Sequence, residues 1–166
     1  RYVAHQAYYS LLNRDYEWEL MPLAQDQQVG TIVWSPLAAG RLGGRYHRGM
    51  PIPEDSRVQN NGVPVRDNIT NHEAWYRILD TLDEMAAETG HSVAEIALAW
   101  LLSRPTITSA VIGARTEQHL ISNIGAADWQ LTAEQIKRLD EVSRQPKAYP
   151  YWHQDLKPEL GAQLFP

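Results

Sequence analysis

Apolar positions along the chain follow two different periods. Three short runs are alternating or rich in β-branched residues: Tyr2 to Gln6, Gly30-Thr31-Ile32-Val33-Trp34 closed by Ser35-Pro36, and Thr108-Ser109-Ala110-Val111-Ile112 closed by Gly113. Such runs predict strands. Elsewhere the spacing is helical. Glu17 to Gln27 reads as one helix, entered through Tyr8-Tyr9-Ser10-Leu11-Leu12. Trp75, Ile78, Leu79, Leu82, Met85 and Ala86 share one face of a second, which Gly90 stops. Ser92 and Glu95 form a capping box ahead of Val93, Ile96, Ala97, Trp100 and Leu101, and Pro105 ends that stripe. Thr116 is placed to cap a helix through Leu120 and Ile124. Thr132 and Gln135 make a second capping box before Ile136, Leu139 and Val142. These stripes predict the core, whereas Glu17, Glu19, Glu84 and Glu88 read as solvated helix faces.

Strands alternating with helices imply a parallel sheet with right-handed crossovers. Three parallel strands alone leave two open edges and an uncovered face. A (β/α)8 TIM barrel takes eight such units and about 250 residues. The expectation is therefore a partial barrel, with roughly five strands missing. The opening Arg1-Tyr2-Val3, without an initiator methionine, reads as a start in mid-domain. Arg45 to Asn71, dense in Pro, Asn, Gly and charge, reads as a functional loop (46–71) rather than a linker. The tail, 145–166, carries Tyr149, Tyr151 and Trp152 without a period.

Composition narrows the function classes. A 43% hydrophobic content suits a globular domain. A net charge of −5 argues against a nucleic-acid partner. With no cysteine there is no disulfide framework, thiolate metal site or cysteine nucleophile. His5, His47, His72, His91 and His153 show no metal-ligand spacing with carboxylates. No apolar run approaches the roughly 20 residues that span a bilayer, and no signal peptide is evident. The cytoplasm is the default compartment.

In a β/α barrel, ligands bind at the carboxyl ends of the strands. Gln6, Trp34-Ser35-Pro36-Leu37 and Gly113-Ala114-Arg115-Thr116 are expected there. The third cluster also opens a helix, whose free N–H groups suit a phosphate. Arg115, His119 and Asn123, spaced by four, share its first face. Each feature has a plainer reading: Trp34 as core, Ser35-Pro36 as a strand stop, Arg115 as a solvated side chain. Gln6, an amide inside an apolar strand, needs a hydrogen-bonding partner. Together the clusters suit a phosphorylated, ring-bearing ligand.

Four blocks carry a resemblance. They are Gln6 with Tyr9-Ser10-Leu11-Leu12-Asn13-Arg14; Trp34-Ser35-Pro36-Leu37-Ala38-Ala39-Gly40-Arg41-Leu42; Ala94 to Leu102; and Val111-Ile112-Gly113-Ala114-Arg115-Thr116 through Asn123-Ile124-Gly125-Ala126. In order and spacing they resemble the aldo-keto reductase superfamily, from Tyr2 to about Val142. The likeness is greatest to bacterial members of the branch that includes potassium-channel β subunits. It implies a (β/α)8 barrel of which residues 1–166 supply the C-terminal half, roughly strands 6–8, and NADP(H)-dependent reduction of a small carbonyl substrate.

By the same resemblance Gln6 would bond the nicotinamide carboxamide, and Trp34 would stack on its ring. Ser35, Pro36, Leu37 and Gly40 would line the pyrophosphate. Arg45 stands where a lysine is common, and Arg57 matches a Ser-Arg in the loop over the cofactor. Gly113, Arg115, His119 and Asn123 would hold the 2′-phosphate and adenine. His119 replaces an arginine or glutamine, and Ser122 replaces a glutamate that often holds adenine. The family's catalytic Asp, Tyr, Lys and His lie on earlier strands, so no catalytic residue is assigned and the chain alone is expected to be inactive. A regulatory scaffold on the same barrel, or a half-barrel pairing with another chain, are the competing readings.

Overall fold

The computed structural model describes residues 2–56 and 72–156. Its centre is a parallel sheet in the order β1-β2-β3, formed by Ala4–Tyr8 (β1), Gly30–Trp34 (β2) and Ile107–Ala110 (β3). Helices follow as α1 (Leu20–Gln27), α2 (His72–Thr89), α3 (Val93–Leu102), α4 (Glu117–Gly125), α5 (Ala133–Val142) and α6 (Tyr151–Leu156).

β2 forms where its composition predicts. β1 begins and ends two residues later than expected, because Ala4 to Tyr8 pair in register with Gly30 to Trp34. Gln6 is thus mid-strand rather than at a strand end, and it is exposed rather than buried. β3 ends at Ala110 instead of Ile112, although the Val111 N–H still donates to the Val33 carbonyl at 2.7 Å. A register shift opposite Thr31 and Ile32 leaves Thr108 as an extra residue on β3. A Cβ on Gly30 would come within 2.7 Å of the Thr108 hydroxyl, so the bulge presses on the one residue type that leaves room.

One sheet face is packed and the other open. Ala7, Thr31 and Val33 are buried beneath the helices, while Gln6, Ile32 and Trp34 on the alternate positions are exposed. The core lies on the covered side. Trp75, Ile78, Leu79, Leu82 and Met85 of α2 meet Ile96, Trp100 and Leu101 of α3, and Leu139 of α5 joins them. Both predicted capping boxes close. Ser92 and Glu95 reciprocate at α3, and Thr132 and Gln135 at α5. Gly90 ends α2 with φ +76°, a conformation open to glycine.

The expected helix from Glu17 divides into a 3-10 turn, Asp15–Glu17, and α1. Glu17 is not a solvated helix residue. It takes a bidentate pair from Arg14 at 2.8 and 2.9 Å and a 2.5 Å bond from the Tyr9 hydroxyl. Burial and the Glu17 charge together push the Tyr9 phenol well above its ordinary value, so this tyrosine stays protonated. Among the described residues, no helix is long and apolar enough to cross a membrane.

Candidate functional site

At the carboxyl ends of β2 and β3 the chain folds into a groove of about 820 Å3. One wall is the turn that follows β2. Ser35, Ala38 and Ala39 all take positive φ, and Gly40 follows at +91°. The Ser35 hydroxyl accepts from the Ala39 N–H at 3.1 Å, and the Ala38 N–H donates to the Ser35 carbonyl at 2.9 Å. Left-handed non-glycine residues cost of order 1–3 kcal/mol each and concentrate where backbone must face a ligand.

The opposite wall is the segment after β3 and the first turns of α4. Thr116 caps that helix, accepting from the His119 N–H at 3.2 Å. Gln118, His119, Ser122 and Asn123 of that helix line the groove, near the positive end of the helix dipole. Arg115 projects from the same turn.

Two arginines from opposite walls converge on one carboxylate. Arg45 pairs with Asp55, and Arg115 Nη1 lies 3.4 Å from the Asp55 carbonyl and 3.6 Å from its carboxylate. The hydrogen bond from Arg45, with the charge of Arg115 beyond it, holds the Asp55 carboxyl below its ordinary range. The Asp55 carboxylate is thus held between two guanidiniums that both line the groove.

Trp34 stands where the groove meets a second, shallower recess of about 450 Å3, and lines both. Its ring is 46% exposed and stacks on Tyr8 at 4.6 Å and 26°. An indole braced from one side and open on the other is a platform for a planar group rather than a core residue. The shallower recess holds Gln6 with Asn13, Asp15 and Glu19. Burial raises the Asp15 carboxyl above its ordinary value.

Of the twelve residues singled out in the sequence, ten line the groove: Trp34, Ser35, Pro36, Leu37, Gly40, Arg45, Gly113, Arg115, His119 and Asn123. Gln6 lies across Trp34 from them, and Arg57 falls outside the described residues. Gly113 is two residues further past its strand than expected. Sequence reasoning missed Asp55, whose contact with Arg115 spans 60 positions, and it saw Ser92 only as a helix cap although that residue also lines the groove. Among the described residues, no group of three or more His, Asp or Glu side chains is placed to hold a metal ion.

Many known proteins are similar to this chain. L-glyceraldehyde 3-phosphate reductase of Escherichia coli is 38% identical over 141 residues, covering 82% of this chain and 40% of the relative. A putative voltage-gated potassium channel subunit beta of Schizosaccharomyces pombe is 32% identical over 145 residues, covering 84% and 42%. The solved structure of glycerol dehydrogenase from Gluconobacter oxydans superposes with a TM-score of 0.69 at 23% identity, over 89% of this chain and 45% of that one. The chain spans less than half the length of these relatives. Residues 1–144 match the Aldo/keto reductase family, and the chain belongs to it.

Proposed function

We propose that the groove binds NADP(H), and that the chain is the cofactor-binding half of a reductase that converts aldehydes or ketones to alcohols. In this reading its strands are the sixth to eighth of a barrel whose remainder covers the open sheet face. The convergence of Arg45 and Arg115 beside the Trp34 platform, at strand carboxyl ends, carries the reading. About 820 Å3 also lies within the 300–1,000 Å3 typical of small-ligand sites.

The residues divide the work by chemistry. The exposed Trp34 face supports the nicotinamide ring, and Gln6 meets its carboxamide from the open sheet face. The Ser35–Gly40 backbone lines the pyrophosphate. Arg115 and the α4 amides hold the 2′-phosphate, a charge-assisted contact. When bound, NADPH supplies the hydride. This chain orients the dinucleotide. Protonation of the carbonyl oxygen belongs to the rest of the barrel, whose acid the resemblance puts on earlier strands.

Arg115→Ala in the full-length protein tests the assignment. Loss of a charge-assisted contact weakens NADPH by roughly 10- to 100-fold. NADH, which lacks the 2′-phosphate, is affected far less. Equal losses for the two, measured by fluorescence titration, would overturn the role of Arg115.

The similarity to a protein named as a channel β subunit favours a second reading, a regulatory scaffold that keeps the same cofactor groove. NADPH-dependent turnover of small aldehydes separates the two.

A further inference from the structure

The shallower recess beyond Trp34 has a lining of opposite character to the groove. The groove carries Arg45 and Arg115, whereas the described lining of the recess carries Asp15 and Glu19 and no lysine or arginine. Much of the remaining wall is aromatic, from Tyr8, Tyr16, Trp34 and Tyr151. Both acidic positions are fixed by neighbours. The Asp15 N–H donates to Asn13 Oδ1 at 3.2 Å, and Glu19 Oε2 accepts from the Tyr151 hydroxyl at 2.9 Å. Tyr151 also packs on Trp18, with ring centroids 5.5 Å apart, so the start of α6 is held against the start of α1. The Tyr16 hydroxyl is taken up between Thr31 and Thr106, 2.7 Å from each, which leaves its ring as lining.

Aromatic faces and carboxylates share one preference. The face of a ring is its negative side and attracts a cation, most strongly where water is excluded. A carboxylate only accepts, and it attracts the same cation at longer range. Burial raises the Asp15 carboxyl, and a cation brought beside it would act in the opposite direction. An anionic ligand would meet two like charges here without a basic partner. At about 450 Å3 the recess has room for a small organic molecule.

We propose that this recess takes the substrate, and that the substrate is a small aldehyde or ketone bearing an ammonium group, held against Asp15, Glu19 and the aromatic wall. The proposal rests on the NADP(H) reading, in which Trp34 carries the nicotinamide between groove and recess, and it adds the substrate class. In the reduction the carbonyl carbon receives the hydride from NADPH. The carbonyl oxygen receives a proton from the acid of the remaining barrel, and the product is the alcohol. The ammonium group is unchanged throughout and serves only as the anchor.

A pair of isosteres separates charge from shape. Choline and its uncharged analogue, with carbon in place of nitrogen, are titrated calorimetrically into the full-length protein saturated with NADP+. Choline should bind about tenfold more tightly, the combined effect of two nearby carboxylates and the ring faces. Asp15→Asn together with Glu19→Gln, which keeps an acceptor for Tyr151, should bring the ratio close to one. Betaine aldehyde should exceed its carbon isostere in kcat/KM by a similar factor, carried by KM. Equal affinities in the wild type would overturn the proposal with the NADP(H) reading intact. So would binding of neither alcohol, or a preference that survives the double substitution. A protein that does not bind NADP+ would overturn that reading, and the proposal with it.

Discussion

Trp100 is fully buried, and its indole N–H donates to Asp140 Oδ1 at 3.0 Å. Two guanidiniums flank the same ring, Arg104 at 4.5 Å from its centroid and Arg14 at 5.3 Å, and both are paired with Asp140. One carboxylate therefore satisfies a buried donor and pairs with two cations exposed by only 12% and 14%, of which Arg14 also holds Glu17. Asp140→Ala would strand the Trp100 N–H and the Arg104 guanidinium, while Arg14 keeps its pair with Glu17. Removing one partner of such a network costs about 3 kcal/mol, because the remaining charges stay desolvated. Asp140→Asn keeps an oxygen for Trp100 and loses only the charge, so it should cost less. Urea denaturation of the full-length protein checks the order. An alanine variant no less stable than the asparagine variant would mean that the cations find water. Nothing in the sequence announces this network. Arg14 and Asp140 are 126 positions apart, and a glutamate in a helical pattern, such as Glu17, looks solvated until its partner is located.

Caps were legible because they are local, and strand limits were not. Ser92 with Glu95, Thr116, and Thr132 with Gln135 each complete a bond within three residues, so spacing alone reveals them. The limits of β1 depend on β2, some 26 residues on, and no local pattern encodes that register. α4 and α5 share the same capping chemistry but differ in support. α5 buries Leu139, whereas α4 buries no residue. α4 therefore depends more on its cap, and it also carries His119, Ser122 and Asn123 into the groove. Thr116→Ala and Thr132→Ala should each cost about 1 kcal/mol of helix stability. Only the first should also weaken dinucleotide binding, by several-fold, with faster hydrogen exchange in the α4 amides. A Thr132→Ala variant that weakens binding equally would show that the groove responds to stability in general.

The surfaces left uncovered bear on what the molecule needs as a whole. The open sheet face exposes Ile32 by 36% and Trp34 by 46%, and α4 exposes Leu120, Ile121 and Ile124 by 42%, 64% and 56%. Fully burying an aliphatic side chain contributes about 1.5–3 kcal/mol, so these positions together outweigh any surface ion pair in the chain. β1 and β3 also end the sheet with backbone groups that no described strand pairs. Such edges recruit other strands. In the proposed barrel, one body of preceding strands and helices would cover the face, the edges and α4 together. It would also bring the proton donor to the hydride. The 166-residue chain alone should therefore associate or bind a hydrophobic dye, and should not oxidise NADPH with any aldehyde above background. Co-expression with the preceding half of the barrel should yield one soluble complex and restore turnover. Size-exclusion chromatography and NADPH absorbance measure both. A monodisperse, dye-free and active 166-residue protein would place the whole reaction in this chain, and the shallow recess beside Trp34, with Asp15 and Glu19, would then be where its proton donor must be sought.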